Sequence, residues 1–268
     1  MTSRPRSISD TLPEWRPNSL RTAVGEAEWQ ARVDLAACYR LCDLYGMSDL
    51  IYTHISARVP GEPGHFLINP HGLLFDEVTA SSLMKVDLDG TVLYRPEGEY
   101  GLHQAGYVIH SALYRARADI NAAMHTHTIA GMAISSLKCG LTALTQTATR
   151  FHGRIAYHDF NGPERDPGER DALARDLGPL NTMILRNHGL LTVGASVAET
   201  FTAMYGMERA CQAQAMAMAC NTELNEMPAD VVAKSTAMYD PGVIRRYGLL
   251  EWPGLLRKLD KRDPSYRE

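Results

Sequence analysis

His125-Thr126-His127 closes an apolar run. Residues two apart in a strand point to one face, so both imidazoles can reach one ion. His188 lies 61 residues further on, between the apolar runs Thr182–Leu185 and Leu190–Val193. Three neutral imidazoles leave an ion's charge and its open positions available, which is how a catalytic metal site differs from a closed structural one. Ten histidines in 268 residues give roughly 0.4 His-x-His pairs by chance. Spacing alone therefore leaves a three-histidine metal site and an ordinary histidine pair both open. The chain has no phosphate-cradling glycine loop and no Gly-x-Ser-x-Gly elbow.

The elements that must hold these histidines follow from periodicity. Trp29, Val33, Ala37, Leu41 and Leu44 recur at helical spacing, and Gly46 ends that helix. Ile51–Val59 and His65–Asn69 read as strands around the turn Pro60-Gly61-Glu62-Pro63-Gly64. Met84–Leu88 and Thr91–Tyr94 read as a hairpin on Asp89-Gly90, and Thr79 as the cap of a short helical turn. Residues 101–117 are helical, Ile120–His125 is a buried strand, and 128–137 is helical. Tyr157 lies in a short strand, Glu169–Leu177 is a charged helix, and a Met-rich helix runs from Val197 to Cys220. Helices alternating with hairpins predict an α/β chain: a single αβα sandwich with a mixed, largely antiparallel central sheet. The expected division is an arm over 1–24, a domain over 25–238, and a tail over 239–268 whose mixed charge reads as a solvated end.

Composition narrows the class. The 27 Lys+Arg stand against 31 Asp+Glu, so the net charge of -4 argues against a nucleic-acid partner. No apolar run approaches the ~18 residues of a membrane span, and the N-terminal residues have no apolar core of a secretory signal. Five cysteines, Cys38, Cys42, Cys139, Cys211 and Cys220, show no framework spacing and suit a reducing cytoplasm. The extensive apolar face of the Met-rich helix suits a homo-oligomer.

Several longer motifs carry a resemblance. They are Gly64-His65-Phe66-Leu67-Ile68-Asn69-Pro70-His71-Gly72 with its continuation to Leu83, Asp119–Thr128, Lys138-Cys139-Gly140-Leu141, Ala156-Tyr157-His158-Asp159 and Leu185-Arg186-Asn187-His188-Gly189-Leu190. In this order, from about residue 28 to 220, the chain resembles the class II aldolase/adducin family, and its adducin-like branch in particular. The resemblance implies an αβα sandwich, commonly a four-fold homotetramer with active sites at subunit interfaces. It also implies a divalent metal ion, most often zinc, on three histidines, which match His125, His127 and His188. Iron, manganese and cobalt are the other metals expected.

The departures redirect the chemistry. Aldolase members carry a Glu where this chain has Gly106. That loss is expected to leave a wider open face on the ion and to move proton transfer to a neighbour. If 101–117 is one helix, His103, Gly106 and His110 share a face. His103 is then expected to act as a base titrating near neutrality, and His110 to orient a neighbouring ring. The phosphate-holding loops of sugar-phosphate members are altered here to Thr53-His54-Ile55-Ser56, His71-Gly72 and Gln104-Ala105. His54 and His71 are expected to line the substrate site, and Arg58 to meet a substrate carboxylate. Tyr157 and His158 are candidate catalytic donors, and Glu97 and Glu99, in a loop before the helix, are candidate acids.

The expected function is a cytoplasmic metal-dependent lyase, an aldolase or decarboxylase, acting on a small non-phosphorylated hydroxy- or oxo-acid. An Fe(II)-dependent oxygenase on the same histidines and a non-catalytic adducin-like assembly module are the alternatives. The expected partners are the substrate and copies of the chain, as a tetramer, with no nucleic acid and no membrane.

Overall fold

A computed structural model describes residues 17–98, 100–162, 167–240, 242–243 and 246–268. The elements in order are α1 (Pro17–Leu44), β1 (His54–Val59), β2 (Glu62–Ile68), β3 (Pro70–His71), β4 (Met84–Asp87), β5 (Val92–Tyr94) and β6 (Gly101–Leu102). Then come α2 (Gln104–Ala116), β7 (Ala122–Thr126), α3 (Ile129–Ser135), α4 (Gln146–Thr149), β8 (Ile155–His158), α5 (Pro167–Leu177), β9 (Thr182–Leu185) and β10 (Gly189–Gly194). The chain continues through α6 (Val197–Ala219), α7 (Ala229–Ala237), α8 (Glu251–Arg262) and a 3-10 turn, Pro264–Arg267. Among the described residues no helix is long and apolar enough to cross a membrane.

Eight strands form one sheet in the order β5-β4-β2-β1-β7-β10-β9-β8. Every pairing is antiparallel except β8 with β9. The mixed, largely antiparallel sheet expected from the hairpin signals is therefore present. Both faces are buried, and the strand alternation shows it. Leu67, Met124, Ile184 and Leu190 belong to a core shared with α1 and α6. Their neighbours Phe66, Ala123, Met183 and Leu191 belong to a core shared with α2 and α5. Each strand thus sends alternate side chains to opposite layers.

The strand ends differ from the sequence reading in small, physical ways. The expected five-residue turn after β1 is only Pro60-Gly61, because Gly61, at φ +79°, turns the chain in two residues. The helix expected over 101–117 begins at Gln104, since Gly101–Leu102 pairs with β3 instead.

Two terminal readings need separate treatment. The arm over 1–24 lies largely outside the described residues, but α1 is already helical from Pro17 and breaks at Gly25 (φ +75°, ψ 164°). The tail is not the solvated end its charge suggested. Trp252, Leu259 and Tyr266 are buried in the core with α1, and Trp252 Nε1 donates to Asp34 Oδ1 at 3.0 Å. Backbone N–H groups of Ala80 and Ser81 donate to the carbonyls of Tyr266 and Glu268. Trp252, Leu255, Leu256 and Leu259 form an i, i+3, i+4, i+7 stripe that the surrounding charges and prolines mask in the sequence.

Candidate metal centre

β1, β7 and β10 are neighbours at the middle of the sheet. His125 is the fourth residue of β7 and His127 follows its end, both with the parity that faces α2. His188 precedes β10 by one residue, and the pairing Leu190↔Thr126 brings it to the same end of the sheet. The β9–β10 turn is made by Asn187 at φ +57°, a conformation asparagine tolerates. Gly189 is required by crowding. A Cβ there would lie 2.4 Å from the Thr126 carbonyl oxygen and 3.4 Å from His125 Cε1.

The three imidazoles converge. His125 Nε2 lies 2.8 Å from His127 Nε2, which lies 2.9 Å from His188 Nε2. The opposite nitrogens decide what these atoms are. His125 Nδ1 donates to the Leu190 carbonyl at 2.9 Å, and His127 Nδ1 donates to Asp49 Oδ2 at 3.1 Å. Burial pushes the His125 imidazole well below its ordinary value, and its neighbours His188 and His127 push the same way. The neutral ring then carries its proton on Nδ1 and a lone pair on Nε2. With both rings neutral, the lone pairs on His125 and His127 Nε2 face each other at hydrogen-bond distance. A cation held by all three nitrogens removes that conflict, and neutral imidazoles oriented by a carbonyl and a carboxylate are the donor set zinc and similar ions take. The residues present fit a divalent ion.

Asp49 is a site residue that the sequence reading missed. It sits 78 positions from His127 in a loop with no motif of its own. Its neighbour Leu50 is held at φ +46° and is 65 % exposed, strain that the loop keeps while placing the carboxylate.

A second set of histidines lies behind the first. His54 pairs with His125 across β1 and β7, and their ring centroids are 5.0 Å apart. His54 Nδ1 lies 3.0 Å from His110 Nε2, His110 Nδ1 lies 2.5 Å from Ser56 Oγ, and Ser56 Oγ lies 2.7 Å from Tyr114 Oη. All four side chains are buried. Each link can be donated in either direction, so the chain can offer a donor or an acceptor at the far nitrogen of His54. Burial drives the imidazoles neutral: His54 well below its ordinary value and His110 down to about 3.

His54 also overturns one expectation. Gly106 does not open a face of the site, because the His54 ring fills the space above it. A Cβ at position 106 would lie 2.6 Å from His54 Cγ.

His103 differs from its expected role. It is the N-cap of α2, with Nδ1 accepting from the Gly106 N–H at 3.2 Å and Nε2 lying 3.2 Å from the Ile51 carbonyl. Burial pushes it down to about 4. Both nitrogens hold backbone, so the imidazole is not a base titrating near neutrality. His71 stays exposed on β3, with its ring 4.8 Å from that of His103.

Arg58 and Tyr157 are not brought to the histidines of their own chain. Arg58 is taken up by the carbonyls of Ile120, Pro63 and Tyr114, with its guanidinium over the Tyr114 ring. Those contacts hold the end of α2 and leave no fork for a substrate carboxylate. Tyr157 packs toward the α1/α6 core, on the other face of the sheet from His125, and its hydroxyl accepts from the Leu141 N–H at 3.3 Å. His158 lies 2.6 Å from Asp176 of α5. Glu97 is exposed, and Glu99 lies outside the described residues.

Comparison with known proteins places this geometry. Residues 33–215 match the family model described as the class II aldolase and adducin N-terminal domain. This chain belongs to the class II aldolase and adducin family. Within that family it is 47% identical to an aldolase II superfamily protein from Pseudomonas syringae, whose crystal structure superposes with a TM-score of 0.86 over 93% of this chain and 99% of that one. It is 27% identical to the L-fuculose 1-phosphate aldolase of Glaciozyma antarctica, with a TM-score of 0.80 over 92% and 96% of the two chains. It is 46% identical to rat alpha-adducin over 198 residues, which are 74% of this chain and 27% of alpha-adducin. The αβα sandwich is thus the fold of the family as well as of the chain.

Proposed function

We propose that this class II aldolase relative is a divalent-metal-dependent lyase, of aldolase or decarboxylase type, acting on a non-phosphorylated hydroxy- or oxo-acid. The observation that carries the reading is the convergence of the Nε2 atoms of His125, His127 and His188, two of them held as acceptors by Leu190 and Asp49. Zinc suits three neutral imidazoles best, with iron, manganese and cobalt as the other candidates. Such an ion polarises a substrate carbonyl and stabilises the charge that develops as an adjacent C–C bond, to an aldehyde or to CO₂, is broken.

The chain's own residues supply the rest. Leu190 and Asp49 fix the tautomers of His125 and His127. The hydrogen-bonded chain from Tyr114 to His54 holds a donor or acceptor beside His125, walled from water. Histidines at positions 54 and 71, where sugar-phosphate relatives carry phosphate donors, support a substrate without phosphate. Leu50, Tyr52, Ile129 and Phe160 remain exposed beside the site residues in sequence or, for Phe160, with its ring 6.1 Å from that of His188. Such apolar exposure supports a homo-oligomer, and the family supports a tetramer, with each site next to a subunit boundary. Five unpaired cysteines support a reducing, cytoplasmic setting.

The second reading is an adducin-like assembly module that keeps the histidines without turnover. The identity with alpha-adducin favours it. Elemental analysis of the purified protein, with a turnover screen of hydroxy- and oxo-acids in air and under nitrogen, decides between them. One ion per chain and oxygen-independent release of aldehyde or CO₂ are expected. Turnover that requires iron and oxygen would make the chain an oxygenase. Bound metal with no turnover of any acid would leave the assembly module.

A further inference from the structure

His127 lies just outside the ladder of the sheet. The pairs of β7 stop at His125 with β1 and at Thr126 with β10. Asp49 fixes the His127 ring at Nδ1, but the backbone of His127 is placed by the residues on either side of it. Both are threonines, and both are tied to α6. Thr126 Oγ1 donates to Met204 Sδ at 3.3 Å, and Thr128 Oγ1 donates to Glu208 Oε2. Positions 204 and 208 are one turn apart, so they share a face of α6. That face grips the chain on both sides of His127.

The two grips differ in strength. A thioether is a weak acceptor, whereas a carboxylate oxygen is a strong one. Thr128 also caps α3, because its Oγ1 accepts the Gly131 N–H at 3.1 Å while giving its one proton to Glu208. The far end of α3 meets the turn that carries His188, where the Asn187 N–H donates to the Ser135 carbonyl at 3.1 Å. Between these ends Gly131 seats α3 on β10, and a Cβ there would lie 2.8 Å from Leu190 Cγ. A short helix thus runs from one histidine to another, and Glu208 holds its first residue.

Glu208 is 3 % exposed, among Cys42, Met204, Met207 and Cys211 of the apolar core. Burial raises its carboxyl above the ordinary range, against the pull of Thr128 and Gln212. An apolar side chain would fill the place without that desolvation cost, so what distinguishes the carboxyl is what it bonds. Gln212 Nε2 donates to Oε1 at 2.7 Å from the same helix. Thr128 is the partner that links Glu208 to another element. We propose, on the metal reading given above, that Glu208 is a positioning residue of the metal centre: through Thr128 it fixes against α6 the backbone that carries His127. It acts through that contact and is not itself a ligand.

Zinc affinity of the full chain, measured by competition with a chromogenic chelator, tests this together with the visible spectrum of the cobalt-loaded protein. Glu208→Leu is expected to lower zinc affinity about tenfold or more, the range for partners that orient metal ligands, and to shift the cobalt bands. Glu208→Gln keeps an acceptor for Thr128 and is expected to restore both. Thr128→Val breaks the same contact from the other side and stands in if Glu208→Leu fails to fold. It is expected to lose affinity similarly, with no further loss when the two are combined. In a His127→Ala background, Glu208→Leu is expected to leave the residual affinity unchanged, because no ring remains to misplace. Leu259→Ala truncates the core under the docked tail. It is expected to lower the urea midpoint while changing zinc affinity by no more than about twofold, as for independent sites. A Gln variant as weak as the Leu variant would mean that Glu208 acts by charge across space, and overturns the positioning role. An equal loss in the His127→Ala background overturns it too, as does a matching loss in Leu259→Ala, which would tie affinity to global stability. Unchanged affinity and cobalt bands in Glu208→Leu overturn it while leaving the metal reading intact. A parent protein that takes up no ion ends both.

Discussion

His54 and Gly106 share one space. The His54 ring lies where any side chain at 106 would begin, 2.6 Å from Cγ to the position of a Cβ, and from there it reaches His110 and the face of His125. The glycine is therefore a packing requirement of the histidine, and the two positions are energetically coupled.

That coupling is measurable. Gly106→Ala overpacks a buried contact and is expected to cost about 1–3 kcal/mol in urea unfolding. The cost is expected to shrink when His54→Ala is added, giving a coupling of about 0.5–3 kcal/mol in the double-mutant cycle. Gly106→Glu is expected to destabilise the fold rather than to restore aldolase activity. A soluble, retro-aldol-active Gly106→Glu variant would show that the ring gives way.

Metal affinity is the second expectation. His125→Ala is expected to remove most bound metal while circular dichroism keeps the sheet signal. Asp49→Asn keeps the loop's shape but weakens the grip on His127 Nδ1, and is expected to lower affinity about 10–100-fold in a competition assay with a chromogenic chelator. Full retention of metal in Asp49→Asn would mean that His127 is oriented by something else.

Acid sensitivity is the third. Burial lowers His103 to about 4 and His110 to about 3, against an unfolded value near 6.5. The unfolded chain therefore binds more protons as pH falls below 6.5. Stability from these groups is fully present above that pH and is lost as pH drops towards the folded values, by up to about 1.4 kcal/mol per pH unit for each histidine. His103→Asn retains a capping acceptor and is expected to flatten the slope of stability between pH 6.5 and 4.5. It is also expected to leave metal content intact. An unchanged slope would show that His103 is not held neutral.

Assembly is the fourth. Ile129 is 84% exposed two residues beyond His127. Ile129→Glu is expected to lower the mass read by light scattering if that surface is a subunit boundary, with unfolding unchanged. A parent protein that is monomeric at micromolar concentration would remove the tetramer reading.

Local pattern made much of the fold legible. Period-two runs and hairpin turns such as Asp89-Gly90 produced the strands, and apolar stripes at helical spacing produced α1, α2 and α6. Where boundaries moved, a competing pairing was responsible, as when Gly101–Leu102 joined β3 rather than α2. The docked tail went unread because its apolar stripe acquires meaning only against α1, which lies over 200 residues away in sequence.

The sequence by itself determined which imidazoles share a strand face, because His125 and His127 are two apart and that parity is a local property of the chain. Tertiary structure alone decided the rest. Asp49 reaches His127 across 78 residues, His54 stands over Gly106 because β1 packs on α2, and Arg58 is consumed by carbonyls that only the folded chain gathers. A side chain's role follows from which partners satisfy its polar atoms, and those partners are set by long-range packing that no local spacing encodes.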